Sequence, residues 1–264
     1  MKYSLKPAQY PFQYNYEGHS QSLGTPGKAT PAPQMSTQEN WDRLAKFDAM
    51  WTILSDSTKF GGKWDPDEFF ATGSEVLERL ATIESHGAAL ADGVAVDFGC
   101  GVGRVSRWLA KRFSRVVGVD ISAQMLVIGE RYNDRAAPIT FVLGNERNIP
   151  LATSSADFVH SIIVLQHIPK PLQEMYLREF SRIVRPGGYL YFQTPSHAVD
   201  VSDTSFSYPV MTNAGPASVE SHTYPRAELE AHLERCGCRM IHVSDDASCG
   251  TGMKSYFYLA QRQR

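Results

Sequence analysis

The residues with the clearest chemical meaning are three glycines at alternate positions, Gly99, Gly101 and Gly103, which follow an apolar run that ends at Asp97. Glycine lets the backbone turn tightly and lets a ligand approach without a Cβ atom in the way. Such a turn between a buried strand and a helix is typical of a nucleotide site. Further along, Asp120 ends a second apolar run, where a carboxylate is placed to accept both hydroxyls of a ribose. This combination predicts a site for an adenosine.

The spacing of this turn distinguishes between two kinds of adenosine ligand. A dinucleotide site has the pattern G-x-G-x-x-G, whereas this chain has G-x-G-x-G with Arg104 in the place of the third glycine. The charge of Asp97 is unfavourable beside a pyrophosphate but suits a ligand that carries an amino group. S-adenosylmethionine is such a ligand, and the pattern favours it over a nicotinamide dinucleotide.

Five motifs occur in the order that is found in one family of enzymes. Together they resemble the class I S-adenosylmethionine-dependent methyltransferases of the small-molecule type, and the resemblance runs from about Trp41 to the C-terminus. It implies an α/β fold, a Rossmann-like doubly wound sheet of seven strands with one antiparallel strand, under an N-terminal helical cap. Ligands then lie beyond the carboxyl ends of the strands. The motifs are the glycine turn at 97–103, the acidic strand end at Asp120, and the segments 144–151, 157–169 and 182–192.

The resemblance also implies which residues bind S-adenosyl-L-methionine. Asn145 stands where the family commonly has an aspartate that meets the amino group of the adenine. An asparagine carbonyl can accept the same hydrogen bond, and the neighbouring Glu146 is a second acceptor at this position. The predicted cofactor-binding residues are Asp97, Gly99, Cys100, Gly101, Gly103, Asp120, Ile121, Asn145, Glu146 and Ile162.

Two histidines are candidates for the general base. Methyl transfer from a sulfonium chiefly requires a nucleophile held in line with the methyl carbon, and a base assists when the nucleophile is a hydroxyl. His167 follows the predicted fourth strand at the carboxyl edge of the sheet, and an ordinary histidine pKa lies near neutral pH. Its alternative role is a hydrogen bond to the backbone at a strand-to-helix turn. His197, just after the predicted fifth strand, is the second candidate.

Two helices are predicted before the glycine turn. Ser36 and Glu39 form the pattern of a capping box ahead of an apolar stripe at helical spacing, and Asp65 followed by Pro66 begins a second helix. In the family, such helices form one wall of the acceptor pocket. The resemblance therefore implies that aromatic residues of this region bind the acceptor, while packing in the core of the helix pair is the alternative. The aromatic candidates are Trp51, Trp64 and Phe70.

Two further segments complete the predicted organisation of the chain. Residues 196–223, after the fifth strand, are too long for an ordinary connection in such a sheet. We expect this insert to be a mobile lid with Tyr208 and His222 facing the acceptor; a loop that packs its aromatic residues on the domain is the alternative. Residues 1–35, rich in Tyr, Gln, Gly and Pro, are expected to be a disordered or draped extension. The methyltransferase domain then spans 36–264, with the helical cap at 36–88.

Composition limits the partners and the compartment. A formal net charge of -2 without a basic run argues against a nucleic-acid partner, and no apolar run is long enough to span a membrane. The cysteines contain no C-x-x-C pair, which argues against a zinc site or a disulfide framework and favours a reducing, cytoplasmic location. No metal is expected, because the carboxylates at the strand ends are assigned to the cofactor; Asp200 and Asp203 of the insert are the alternative ligands for a divalent ion. The oligomeric state stays open.

These features predict an enzyme that moves a methyl group from S-adenosylmethionine to an oxygen of a small-molecule acceptor of the sugar or natural-product kind. Oxygen is favoured because histidines are available to take the proton of a hydroxyl. Three alternatives stay open: methylation of an amine nitrogen, a non-catalytic S-adenosylmethionine-binding module, and a nicotinamide dehydrogenase, which Arg104 disfavours.

Overall fold

Short runs of Val, Ala, Ile and Phe form most strands of a central sheet. The computed structural model of the protein describes residues 35–134, 136–198, 205–212, 215–247, 249 and 252–264. The sheet contains β1 (Val94–Phe98), β2 (Arg115–Asp120), β3 (Ile139–Leu143), β4 (Ala156–Ser161), β5 (Val184–Ala198), β8 (Cys238–Asp246) and β9 (Met253–Arg262), while β6 (Ser205–Thr212) and β7 (Gly215–His222) form a separate hairpin.

The strands of the central sheet follow the order β3-β2-β1-β4-β5-β9-β8. Neighbouring strands from β3 to β5 are parallel, and β9 is antiparallel to both of its neighbours. The predicted doubly wound sheet of seven strands with one antiparallel strand is therefore confirmed. The strand order reverses between β1 and β4, and in such sheets the crevice outside the carboxyl ends at this reversal binds the ligand.

Helices cover the sheet and close over its carboxyl edge. Among the described helices, none is long and apolar enough to cross a membrane. The helices are α1 (Thr37–Ile53), α2 (Pro66–Ala71), α3 (Glu75–Ser85), α4 (Ser106–Leu109), α5 (Ala123–Tyr132), α6 (Lys170–Ile183) and α7 (Arg226–Arg235), with short 3-10 turns at Ser57–Lys59, Thr72–Ser74 and Leu165–His167.

Two hydrophobic cores lie on opposite faces of the sheet. Ala95 of β1 packs in one core with residues of α3 and α4, and its neighbour Val96 packs in the other with residues of α6 and α7. Successive residues of a strand point to opposite faces, so both sides of β1 are covered and its run is apolar throughout. The rigid middle of the sheet thereby fixes where its carboxyl ends lie.

The N-terminal helices begin as their sequence predicts. The Ser36 hydroxyl accepts a hydrogen bond from the Glu39 N–H at 3.1 Å, and the Asp65 carboxylate accepts one from the Glu68 N–H at 2.9 Å. Both glutamates pair with a basic side chain rather than with the backbone N–H of the capping residue, Glu39 with Arg43 at 2.8 Å. The capping residues are therefore confirmed, and the reciprocal half of the capping box is not formed.

The cap packs directly against the glycine turn. A Cβ atom on Gly73, between α2 and α3, would lie 2.2 Å from the backbone oxygen of Arg104, so only glycine permits this approach. The indole N–H of Trp108 donates a hydrogen bond to the backbone oxygen of Phe70 at 2.7 Å. The predicted helical cap is confirmed, and its position relative to the turn is set by backbone contacts.

The described part of the insert at 196–223 is a β-hairpin. Strands β6 and β7 pair antiparallel over their whole length. The side chain of Asn40, on α1, donates a hydrogen bond to the backbone oxygen of Ser218 at 2.7 Å and accepts one from the Ser218 N–H at 2.9 Å. This reciprocal pair attaches β7 to the first helix of the cap. The predicted extension at 1–35 falls, apart from its last residue, outside the part of the chain that the structure describes.

Candidate functional site

A cavity of about 1170 Å³, counting the part that is open to solvent, lies beyond the carboxyl ends of β1, β2 and β4. This is where the strand order reverses, as expected for a ligand site in a doubly wound sheet. Its walls come from α1, the glycine turn, the loop after β3, the segment after β4 and the start of α6. The predicted cofactor residues that line it are Asp97, Gly99, Cys100, Gly101, Asp120, Ile121, Asn145, Glu146 and Ile162.

The glycine turn needs glycine for two physical reasons. Gly99 and Gly101 have φ values of 72° and 54°, in the left-handed region that side chains with a Cβ atom seldom adopt. A Cβ atom on Gly101 would also lie 2.6 Å from Cδ1 of Ile53, on α1. Gly103 is also left-handed, with a φ of 81°, but it does not line the cavity, and a Cβ atom there would lie 2.8 Å from the ring of Phe141. The structure therefore gives Gly103 a packing role.

Asp97 is buried at the end of β1 and is held by two donors. His160 Nδ1 on the neighbouring strand β4 lies 3.0 Å from one carboxylate oxygen, and the Ser106 hydroxyl donates to the other at 2.6 Å. A buried carboxylate is costly unless such partners satisfy it. These contacts hold the Asp97 side chain in place at the cavity wall.

Asp120 ends β2 on the opposite side of the glycine turn. Its carboxylate accepts hydrogen bonds from the N–H groups of Gly101 and Ser122, both at 2.8 Å. Burial raises the pKa of Asp120 to about 6, the two hydrogen bonds oppose this shift, and the charges of Asp97 and Asp42 add to it. Each carboxylate oxygen has a second lone pair, so the group can still accept two ribose hydroxyls.

The cavity has an excess of negative charge. Asp97, Asp120 and Glu146 line it, and Arg104 is the only lysine or arginine among the described lining residues. Negative charge raises the cost of binding a pyrophosphate and lowers the cost of binding a ligand with cationic groups. The donor and acceptor set therefore fits S-adenosylmethionine, which carries a sulfonium and an amino group, and opposes the nicotinamide alternative.

His167 lies in the cavity wall at the end of the 3-10 turn after β4. Its Nδ1 is 2.6 Å from the backbone oxygen of Glu220 on β7; because a carbonyl only accepts, Nδ1 carries the proton and Nε2 does not. Burial lowers the pKa of His167 to about 4, and the nearby His222 contributes to this shift. The ring is therefore neutral at pH 7. The backbone hydrogen bond that the sequence offered as an alternative is present, and Nε2 keeps its lone pair.

A strained residue precedes His167 and is held by buried amides. Ile163 lines the cavity with a φ of 59°, an outlier for a β-branched residue, and its N–H donates to Gln193 Oε1 at 2.9 Å. The Gln193 amide donates to Ser255 Oγ at 2.7 Å and to Gln166 Oε1 at 3.3 Å. The Gln166 amide in turn lies 3.3 Å from His167 Nε2. Strain of this kind persists only where the surroundings enforce it.

The three aromatic residues predicted for the acceptor wall lie within the helical cap, and a different tryptophan lines the cavity. Trp51 and Trp64 donate their indole N–H groups to backbone oxygens within the cap, and Phe70 is buried in its core. None of these three lines the cavity. Trp41 does, and its ring lies 5.4 Å from that of His167. Trp41 belongs to the same apolar stripe of α1, and helical spacing alone does not tell a cavity wall from a helix core.

The remaining predicted residues lie outside the cavity lining or have side chains outside the described part of the chain. His197 is exposed on β5 and does not line the cavity, because β5 extends to Ala198 and turns this side chain outward. His222 pairs with the Glu220 carboxylate at 3.0 Å, next to His167 but outside the lining. The backbone of Tyr208 pairs with Val219 in the hairpin, and its side chain is outside what the structure describes, as are Asp200 and Asp203. In the described ranges, no group of three His, Cys, Asp or Glu residues could hold a metal ion.

Comparison with known proteins shows what the core of the chain is similar to. Residues 96–192 match a family model described as a methyltransferase domain. The ubiquinone biosynthesis O-methyltransferase of Idiomarina loihiensis is 28% identical over 170 residues, which cover 62% of this chain and 65% of that protein. The malonyl-[acyl-carrier protein] O-methyltransferase of Pectobacterium atrosepticum is 34% identical over 102 residues, 38% of this chain and 37% of that protein. The chain thus spans less than two thirds of the length of these relatives.

Solved structures share the fold. An S-adenosylmethionine-dependent methyltransferase from Clostridium acetobutylicum superposes with a TM-score of 0.60 at 15% sequence identity, over 81% of this chain and 97% of that one. The likeness concerns the arrangement of helices and strands, which agrees with the predicted fold class.

The carboxylate of Asp120 generates the first prediction. Asp120→Asn should weaken S-adenosylmethionine binding by roughly 1.5–3 kcal/mol for each charge-assisted hydrogen bond lost. Because the pKa of Asp120 is about 6, the affinity of the unaltered protein should rise as the pH increases through this value, and the variant should lack that rise. Calorimetric titration between about pH 5 and 8 measures both effects. Equal pH profiles for the two proteins would contradict the assignment.

The raised pKa of Asp120 makes the stability of the ligand-free protein change with pH in the opposite direction to the binding affinity. Between the ordinary value of 3.8 and about 6, the folded state binds more protons at Asp120 than the unfolded state does. The free energy of unfolding contributed by this group is therefore present at acid pH and is lost as the pH rises through 6. Chemical unfolding of Asp120→Asn without ligand serves as the control, because the variant should not show this loss.

The buried amides give a second prediction. Gln193→Leu leaves the Ile163 N–H without its acceptor and should lower the free energy of unfolding by about 1–3 kcal/mol. Ile163→Gly in the same background should recover part of the lost free energy of unfolding, because glycine adopts the left-handed conformation without strain. Urea unfolding and calorimetry of both single variants and the double variant test the coupling. If the changes in the free energy of unfolding of the two single variants add up to that of the double variant, Gln193 does not hold Ile163 in place.

Proposed function

We propose that this chain, which carries a class I S-adenosylmethionine-dependent methyltransferase domain, transfers a methyl group to an oxygen of a small-molecule acceptor. The observation that carries the proposal is one cavity in which Asp97 and Asp120 face a neutral His167. When bound, the sulfonium supplies an activated methyl group. Two relatives with matching segments are named as O-methyltransferases, which supports oxygen as the acceptor atom.

The carboxylates and the glycine turn hold the methyl donor. Asp120 accepts the ribose hydroxyls, and Asp97 attracts the amino group at the other end of the ligand. Gly101 lets the ligand lie against the backbone between them. The protein then needs to place the acceptor oxygen in line with the methyl carbon, which accounts for a large share of the rate enhancement in reactions of this kind.

His167 favours an acceptor hydroxyl that loses its proton easily. Its Nε2 is the unprotonated ring nitrogen, and an acceptor hydroxyl would replace the long contact with the Gln166 amide at 3.3 Å. A base whose pKa is about 4 is too weak to assist a sugar hydroxyl well. An acidic hydroxyl, such as that of a phenol or a carboxylic acid, matches it better. We therefore favour acidic hydroxyls within the small-molecule acceptors that the sequence suggests.

The hairpin forms the acceptor side of the site in this proposal. Its strand β7 holds His167 through the backbone oxygen of Glu220 and is attached to α1 through Asn40 and Ser218. Trp41 of α1 also lines the cavity, with its ring 5.4 Å from that of His167. A closed wall of this kind would keep water from the transferring methyl group. These contacts support the insert at 196–223 as the lid over the acceptor.

The experiment that tests the function uses deuterated S-adenosylmethionine with fractions of a metabolite extract, followed by mass spectrometry of labelled products. His167→Ala should lower kcat for the labelled product by roughly 10²-fold while affinity for S-adenosylmethionine stays nearly unchanged. Because the pKa of His167 is about 4, the rate should show no inflection from this residue between about pH 5 and 8. His197→Ala is the matched control and should retain full activity. No labelled product with any fraction would favour a non-catalytic binding module instead.

The hairpin gives a separate prediction. Replacing residues 200–218 with a short Gly-Ser linker should leave S-adenosylmethionine binding intact and abolish acceptor methylation, because the acceptor loses one wall. Asn40→Ala removes only the two hydrogen bonds to Ser218 and should raise KM for the acceptor by a smaller factor. Steady-state kinetics with the acceptor found above measure both. Unaltered kcat and KM in the shortened protein would assign acceptor choice to the cap helices.

A further inference from the structure

Three consecutive residues of α1 contact three different elements of the site. Asn40 is hydrogen bonded to β7 of the hairpin, and the ring of Trp41 lies 5.4 Å from that of His167. Asp42 is hydrogen bonded to the start of α5. Because consecutive side chains of an α-helix point about 100° apart around its axis, a single turn reaches all three elements. This turn of α1 therefore lies between the acceptor side of the cavity and the end of β2.

Asp42 holds the residues that follow Asp120. Its Oδ1 accepts hydrogen bonds from the Ser122 hydroxyl at 2.6 Å and from the Gln124 N–H at 3.1 Å. The Ser122 N–H donates to Asp120 Oδ1 at 2.8 Å. Ser122 is fully buried, so its hydroxyl would lose its acceptor if Asp42 moved away. The carboxylate proposed to accept the ribose is thus joined to α1 by two hydrogen bonds in series.

The other end of this connection is the strand that holds the candidate base. The Asn40 side chain both donates to and accepts from the backbone of Ser218, at 2.7 and 2.9 Å. Two residues further along β7, the backbone oxygen of Glu220 accepts the hydrogen bond from His167 Nδ1. One short strand therefore positions His167 and is itself positioned by α1.

Residues 37–47 of α1 form a helical segment of their own. Asp48 interrupts the helix with a φ of -163° and a ψ of 88°, and its carboxylate accepts a hydrogen bond from the Trp51 N–H at 3.2 Å, as at the start of a new helix. Within the segment, Ala45 packs in one core with Met125 of α5. Rigid helices and hydrogen-bond networks of this kind carry energetic coupling between sites.

We infer that the segment 37–47 couples the methyl-donor site to the base on the acceptor side, with Asp42 as the positioning residue. The inference rests on the proposed function. A ribose on Asp120 favours the orientation in which Ser122 holds this carboxylate and donates to Asp42. The donor thereby stabilises α1 over the cavity, and α1 stabilises the strand that holds His167. By reciprocity, an acceptor that stabilises the hairpin strengthens donor binding by the same factor.

Hydrogen–deuterium exchange with S-adenosylhomocysteine tests this coupling without the acceptor. No described residue of β7 lines the cavity, so slower exchange there reports coupling rather than contact with the ligand. In the unaltered protein, the ligand should slow the exchange of backbone N–H groups at 97–103 and, by about 5-fold or more, in β7. In Asp42→Ala the effect at 97–103 should remain, and the effect in β7 should fall below about 2-fold. Asn40→Ala should lose the effect in β7 in the same way, because it breaks the other end of the connection.

Two further variants serve as controls. Asp42→Asn keeps an oxygen that accepts both hydrogen bonds and should restore most of the effect in β7, which a general loss of packing would not explain. Asp65→Ala removes a capping carboxylate from α2, away from the cavity lining, and should retain the full effect. Thermal unfolding of each variant without ligand checks the fold, and Asn40→Ala carries the same test if Asp42→Ala does not fold.

Two results would overturn this inference alone: equal protection of β7 in Asp42→Ala and the unaltered protein, or no protection of β7 in the unaltered protein with the ligand bound. Failure of the unaltered protein to bind S-adenosylhomocysteine would overturn the proposed function as well.

Discussion

The site depends on one constraint: the backbone that leaves β1 must turn sharply enough to meet the end of β2. Gly99 and Gly101 meet it with left-handed conformations. The turn then directs the Gly99 N–H to the backbone oxygen of Val119 at 2.7 Å and the Gly101 N–H to Asp120 Oδ2 at 2.8 Å. Hydrogen bonds that fix the fold therefore also orient the carboxylate before any ligand binds, which lowers the entropy cost of binding.

Placing two carboxylates at this turn has an electrostatic free-energy cost. Burial raises the pKa of Asp120, and the neighbouring charge of Asp97 adds to this shift. Hydrogen-bond donors offset this cost: His160 and Ser106 hold Asp97, and backbone N–H groups hold Asp120. A ligand with positive charge relieves what remains. The acidic cavity is thus a physical reason for selecting a cationic adenosyl ligand over a dinucleotide.

Features that depend on backbone geometry can be predicted from the sequence, whereas features that depend only on side-chain direction cannot. The glycine turn and the acidic strand ends follow from residue types at fixed spacing, and the sheet of seven strands with one antiparallel strand follows from the family resemblance that these motifs carry. Trp51 and Trp41 share one apolar stripe of α1, yet only Trp41 reaches the cavity, and spacing cannot separate them. His197 was placed wrongly because its strand runs beyond the apolar stretch that predicts it, to Ala198. Asn145 lines the cavity, and the local hydrogen bonds of its side chain are a detail that its position in the sequence does not predict.

The sequence motifs do not predict the conformation of the segment that follows β4. The strained residue there, Ile163, is held by Gln193, which directly follows the apolar run 189–192 of β5. Gln193 and Gln166 are both buried, and buried amides remain in a core only when their partners satisfy them. Their chain of contacts ends on His167, whose other nitrogen is held by the hairpin. The orientation of His167 is therefore set from both sides, by the central sheet and by the insert. In the proposed function, these two elements, which are distant in sequence, together form the wall that faces the acceptor.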